Sequence, residues 1–126
     1  MAMPDADPNL AAVFERFIEA WNVHDSASRR RLLDETCATG IEISSPYGEY
    51  SGIDQQFEEI SRFRAQFPEG FCRFRVVSLH HHSLLQAWTT EFGKARPPLT
   101  GIDCVQFDIT GRIARVVSFS PVGAPP

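Results

Sequence analysis

The stretch that most narrows what this chain can become is Leu99 to Pro121, LTGIDCVQFDITGRIARVVSFSP. Two runs rich in Val, Ile and Phe flank Asp108-Ile109-Thr110-Gly111, with a glycine where the backbone needs positive φ. The pattern predicts a β-hairpin. Side chains alternate along a strand, so Asp103, Val105, Phe107 and Ile109 are expected on one face of the first arm. One carboxylate then shares its face with three apolar side chains. If that face lines an interior, Asp103 is a buried acid, costly unless it is hydrogen-bonded, neutralised or used. The expectation is a small-molecule pocket around Asp103.

The chain ahead of the hairpin reads first as helices. Asp7 caps a helix with Pro8 at its first position, and Leu10, Val13, Phe14, Phe17, Ile18 and Trp21 recur at three- and four-residue spacing. That helix is expected to end near Asn22 to His24. Asp25 or Ser26 caps a shorter second helix through Arg29 to Cys37, with Leu32 and Leu33 inward and Gly40 ending it. Ile41 to Ser45 alternates as a strand into Pro46, and Tyr47 to Gly52 reads as a turn with a short return strand. A third helix runs from about Ile53 to Gln66, with Phe57, Ile60, Phe63 and Phe67 on one side, closed by Pro68 and Gly70.

From Phe71 the period changes to that of strands. Phe71 to His80 is a strand, His81-His82-Ser83 a turn, Leu84 to Phe92 the return strand, and Gly93 to Pro98 a loop. Helices followed by hairpin-linked strands predict an α+β domain, its mostly antiparallel sheet covered on one face by three N-terminal helices. Residues 1–7 read as a frayed lead-in, 8–121 as the domain and 122–126 as a flexible tail. A strongly curved sheet leaves a hollow under the helices, walled by Phe17, Trp21, Phe63, Phe67 and Trp88; Trp21 and Trp88 read equally well as core.

Ten phenylalanines among 126 residues favour such a ring-lined interior. The formal net charge of −4 argues against a nucleic-acid or anionic-membrane partner, and Arg29-Arg30-Arg31 reads as a solvated helix face. No apolar run approaches a membrane span, and the opening residues MAMPDADPNL lack the basic start of a secretory signal. Cys37, Cys72 and Cys104, odd in number and widely spaced, fit reduced structural thiols in a cytoplasmic protein. His80, His81 and His82 read as surface histidines, with no third metal ligand at useful spacing, so no metal and no cofactor are expected. His24 follows the first helix, where it meets the negative dipole end.

FIEAWNVHD at Phe17 to Asp25, SSPYGEYSG at Ser44 to Gly52 and GIDCVQFDITGRI at Gly101 to Ile113, taken with the order of elements, resemble the nuclear transport factor 2-like superfamily. Within it the chain is similar to the SnoaL-like and ketosteroid-isomerase-like branch, from about Leu10 to Pro121. The resemblance implies a cone-shaped sheet and a cavity, but no single activity. It matches Asp103 to the oxyanion-hole aspartate of ketosteroid isomerases, whose neutral acid and tyrosine stabilise an enolate. It puts Phe17 where that family has its tyrosine and Ser45 where it has its general base. Ketosteroid isomerisation is therefore not expected.

The SnoaL-like cyclases use an acid in this cavity, and Asp103 is the matching residue. The same resemblance turns Gln86 and Trp88 toward Asp103, and Val116, Ser118 and Ser120 toward the cavity. Arg73, Arg75 and Arg115 have outward parity, so the Asp-Arg-Asp set of epoxide hydrolases of this fold is not formed. Tyr47 and Tyr50 stand near the mouth and could supply hydroxyls. The opposite sheet face carries Ala87, Thr89, Cys104, Gln106, Val117 and Phe119, and the resemblance implies a homodimer through it.

Asp103 thus has two readings: a buried acid merely satisfied by Gln86 or Ser118, or a ligand-contacting group. Three functions follow. One is a cofactor-free enzyme transferring a proton on a small apolar, cyclic or polyketide-like molecule. Another is a non-catalytic binder of such a molecule, and the third a dimeric interaction module with an incidental cavity.

Overall fold

The computed structural model describes residues 8–121; the Asp7 cap, the 1–7 lead-in and the 122–126 tail lie outside the described residues. Helices α1 (Pro8–Asn22) and α2 (Ser26–Thr36) lead into strand β1 (Cys37–Ser45) and the short β2 (Gly48–Ser51). Helix α3 (Gly52–Gln66) follows, then β3 (Phe71–His80), β4 (Ser83–Glu91), β5 (Leu99–Phe107) and β6 (Ile113–Phe119). The six strands form one sheet in the order β2-β1-β6-β5-β4-β3. Every pairing is antiparallel except that of β1 with β6. This is the expected α+β arrangement, an open curved sheet with the three helices against its concave face.

The apolar stripe of α1 sets the core. Leu10, Phe14, Phe17 and Ala20 are buried, together with Leu33 of α2, Ile60 of α3, and Ile41 and Ile113 of the sheet. The Phe14 ring meets that of Phe74 edge-on, with centroids 5.2 Å apart, which ties α1 to β3. The hairpin between β5 and β6 is closed by the Asp108 carboxylate, which accepts from the N–H groups of Thr110 and Arg112 and from the Thr110 hydroxyl. Gly111 takes φ +85°. The strand ends at Phe107, two residues short of Ile109, because the Asp108 side chain draws the backbone into a turn. Ile109 is therefore not on the Asp103 face but at the hairpin tip, 93% exposed.

Helix α2 starts as expected behind Asp25, whose carboxylate accepts from the Ser28 N–H at 2.9 Å, but departs from expectation at its C-terminal end. It stops at Thr36, whose hydroxyl bonds back to Leu32 O while the Cys37 N–H closes on Leu33 O. Cys37 is already extended (φ −104°, ψ 142°), so the strand begins there and runs through Gly40, which ends nothing. At the other end Arg29 is not solvated. It is 3% exposed, with Nη1 donating to Ser61 Oγ at 2.8 Å and Nη2 to the carbonyls of Val23 and His24. Of the three arginines, Arg31 is exposed, and Arg30 pairs with Asp34 and Asp54.

A second buried arginine locks the open end of the layer. Arg64 on α3 donates through Nη1 to the carbonyls of Trp21 (3.1 Å) and Gly70 (2.7 Å), and through Nη2 to Pro68 O (2.8 Å). Asn22 adds a two-way bond to the backbone of Cys72, Nδ2 to its O and its N to Oδ1. The end of α1, the loop after α3 and the start of β3 are thereby held together by polar groups.

Candidate functional site

A cavity of about 420 Å³ opens between the helices and the concave face of the sheet. Its floor follows from strand register. Gln86 on β4 pairs with Asp103 on β5, and Asp103 pairs with Ser118 on β6, so amide, carboxyl and hydroxyl stand in one row on one face. Gln86 Nε2 donates to Asp103 Oδ2 at 2.7 Å. The next row toward the mouth holds Trp88 opposite Gly101. A Cβ at Gly101 would collide with the Trp88 ring and with the carbonyl of Phe119, so the absence of a side chain there is what seats the indole.

Burial pushes the Asp103 carboxyl above the ordinary carboxylate range, and the groups that pull it back are neutral: Ser118, Gln86 and Trp88. Desolvation outweighs them. Trp88 and Ser118 stand near enough to favour the ionised form, but neither satisfies Asp103 Oδ1 with good hydrogen-bond geometry. Asp103 Oδ1, Trp88 Nε1 and Gln86 Oε1 are all buried without a partner. The site is an acid held among incompletely satisfied polar groups.

Phe17 and Trp21 of α1 and Phe63 of α3 form the helical wall, with Trp21 and Phe63 rings edge-on at 5.6 Å. Val116 and Ser118 of β6, Gln86 and Trp88 of β4 and Tyr47 of the β1–β2 turn complete the expected set around Asp103. Val105 does not line the cavity. It lies one row deeper, paired with Leu84 and Val116 and 1% exposed, where α1 fills the space above the sheet. Ser120 is likewise not on the cavity wall. It follows the last residue of β6, lines the opposite face, and its hydroxyl lies 3.3 Å from the Tyr47 hydroxyl.

The sequence reading missed Ile43, Glu59, Arg62, Cys72 and Arg96, which also border the cavity. Cys72 and Thr90 share the parity of Gln86 and Trp88 through strand pairing, a signal available from alternation alone. Burial pushes the Cys72 thiol up to about 11 and the Cys37 thiol up to about 12, so neither is an activated nucleophile. At the mouth, Glu59 pairs with Arg62, and burial together with Glu59 raises the Tyr50 phenol. Among the described residues no three His, Cys, Asp or Glu side chains gather to hold a metal ion. His80 and His81 face each other at the β3–β4 turn, Nδ1 to Nδ1 at 3.2 Å.

A larger groove of about 600 Å³ lies on the convex face, between Arg73, Arg75, Ile102 and Phe119. It has no carboxylate in its lining, whereas the smaller cavity holds the buried acid. The chemistry therefore points to the concave side. No helix among the described residues is long and apolar enough to cross a membrane.

A curved sheet with three helices on its concave face is the nuclear transport factor 2-like arrangement, and comparison with solved structures gives the same fold. The chain is similar to a candidate isomerase of the SnoaL-like family from Agrobacterium tumefaciens, at 23% identity and TM-score 0.75, covering 90% of this chain and 98% of that one. It is similar to a candidate SnoaL-like polyketide cyclase from Jannaschia, at 16% identity and TM-score 0.75, over 100% of this chain and 99% of the other. An NTF2-like protein of unknown function from Exiguobacterium matches at 13% identity and TM-score 0.72, over 87% and 98%. No family model and no curated protein matches the sequence. The fold is thus nuclear transport factor 2-like, in the form found in SnoaL-like proteins.

Proposed function

We propose that this protein binds a small, largely apolar ring compound in the concave cavity, with Asp103 as the group that meets its polar end. The observation that carries this reading is a carboxyl with raised pKa on the floor of a ring-lined cavity of about 420 Å³. That volume lies in the range of small-molecule sites, and a few convergent polar groups in apolar walls are what such sites contain. Native mass spectrometry of the purified protein tests it: a bound small molecule, lost in Asp103→Leu, supports the reading, and ligand retained equally in that variant counts against it.

Catalysis is the second reading, favoured by the same raised pKa, because an acid nearer neutrality exchanges its proton more readily at working pH. The reaction would be a cofactor-independent proton transfer of isomerase or cyclase type, with Asp103 as the acid or base. Ketosteroid isomerisation does not fit. Phe17 brings no phenol, and the Ser45 hydroxyl is taken up in the β1–β2 turn, accepting from Tyr47 N and donating to Gly48 O. The partners that bond or flank Asp103 (Gln86, Ser118 and Trp88) do not ionise in the physiological range. That weights binding over turnover.

The convex face is proposed to hold a second copy of this chain. Ile102 and Phe119, 47% and 55% exposed, pair across β5 and β6 and put an apolar centre on a sheet face that no helix covers. Cys37, Cys72 and Cys104 are all free thiols, which suits a reducing compartment such as the cytoplasm.

A further inference from the structure

We propose that the β3–β4 turn binds a divalent transition-metal ion through Nδ1 of His80 and Nδ1 of His81. The two nitrogens lie 3.2 Å apart, on exposed rings set nearly perpendicular at 85°. An imidazole coordinates such an ion at about 2.0–2.1 Å, so two on one ion stand about 2.9 Å apart at a right angle and about 3.3 Å apart at the tetrahedral angle. The observed spacing falls between those limits. Both rings face solvent and can turn about their Cβ–Cγ bonds to bring their lone pairs onto one ion. The site stands apart from the concave cavity and is independent of what that cavity holds.

Successive side chains of a strand point to opposite faces, so adjacent histidines do not ordinarily meet. These two meet because His81 leaves the extended backbone, at φ +49°, the only non-glycine residue among those described with positive φ. The turn itself is pinned. His80 pairs with Ser83 at the end of the β3–β4 ladder, and Phe107 N donates to His82 O at 2.9 Å. Two bare ring nitrogens at 3.2 Å would set lone pair against lone pair, so a hydrogen or a cation belongs between them. A proton on one ring serves a single lone pair; a metal ion takes both and leaves each Nε2–H to water. Imidazole nitrogen suits zinc, copper and nickel, whereas magnesium and calcium take oxygen. Among the described residues no third His, Cys, Asp or Glu side chain joins the pair, so water completes the coordination and the ion is exchangeable.

Calorimetry of the full chain with zinc chloride, and with calcium chloride as the contrast, tests the site. Zinc should bind at one ion per chain and calcium should give no heat. In ¹H–¹⁵N spectra of the imidazole rings, zinc should move Nδ1 of His80 and His81 while both Nε2 stay protonated. His80→Gln and His81→Asn should each bind zinc at least about tenfold more weakly, since losing even a residue that only supports a metal ligand costs about that much. Asparagine is chosen at His81 because it tolerates the left-handed backbone. His24→Gln, between α1 and α2, and Cys104→Ser, which removes the exposed thiol, should bind as the parent does. Unaltered zinc affinity in either turn variant, or a loss in Cys104→Ser or His24→Gln, overturns the assignment. So does calcium bound as tightly as zinc. A parent that takes up no zinc also overturns it, and leaves the pair sharing a proton.

Discussion

Gln86 Nε2 and Asp103 Oδ2, 2.7 Å apart across neighbouring strands, are the contact on which the site turns. The bond favours the ionised acid, yet the carboxyl is still pushed up, because desolvation is the larger effect.

That balance has a consequence for stability. An acid whose pKa is higher folded than unfolded holds its proton more tightly when folded. Its contribution is most favourable below the unfolded value, near 4. It declines as pH rises through the folded value and stays at a penalty above it. Asp103→Asn should therefore raise the melting temperature relative to the parent at pH 7, and the gain should shrink toward pH 3. Melting curves of both proteins across that interval check the sign; a gain that grows with acidity contradicts it. A carboxyl ¹³C titration should place the Asp103 pKa above the ordinary range.

Gly101 is the seat of Trp88. Gly101→Ala should cost about 1–3 kcal/mol, the usual cost of forcing atoms into a packed site. It should also shift the Trp88 fluorescence or indole resonance. Denaturant unfolding with the Trp88 signal as a second probe measures both; an unchanged indole environment would show that the ring does not rest on the glycine.

Arg64 closes the open end of the layer through three carbonyls on two segments. Arg64→Met should destabilise by about 3 kcal/mol, since the buried Gly70 carbonyl and the half-buried Trp21 and Pro68 carbonyls lose their donor together. Arg64→Lys should recover only part, because one ammonium cannot reproduce the planar fork. Urea titrations of the three proteins give the comparison, and a Lys variant as stable as the parent would refute the fork argument.

The three thiols should separate by reactivity. Cys104 is exposed, whereas burial raises Cys72 to about 11 and Cys37 to about 12. A thiol reagent at pH 8 should modify one cysteine quickly in the native protein and all three in denaturant. Mass mapping should place the fast site at Cys104, and a cavity ligand should slow Cys72 further. Fast labelling of Cys72 would indicate a cavity more open than the geometry allows.

The dimer reading is tested at Phe119. Phe119→Lys places a charge at the centre of the convex face, at a position 55% exposed in one copy, so folding should change by no more than about 0.5 kcal/mol. Sedimentation at micromolar concentration should show a dimer for the parent and a monomer for the variant. A parent that sediments only as monomer removes the proposed interface.

Periodicity carried most of the fold. The stripe on α1 and the hairpin at β5–β6 are local patterns, and local patterns can be read without knowing what packs against them. Asp103, Gln86, Trp88 and Ser118 came into view by alternation together with the family resemblance. The two buried arginines show where that reading stops. Arg29 precedes Leu32, Leu33 and Thr36 at helical spacing, and Arg64 follows Gln56 and Ile60 on the inward face of α3, so their inward direction was legible. Their burial was not, because a cation reads as solvated until the acceptors around it are seen, two carbonyls and the Ser61 hydroxyl for Arg29 and three carbonyls for Arg64.

By its own pattern the chain determined the order of helices and strands, the turn at Gly111 and the face on which Asp103 lies. All of these depend on neighbours within a few residues. Only the tertiary structure decided that Val105 is core while Val116 is wall, that Ser120 falls on the far face, and that Gln86 Oε1 and Trp88 Nε1 are left without partners. Those outcomes depend on how far α1 reaches over each row of a curved sheet, and curvature is a property of six strands together rather than of any one of them.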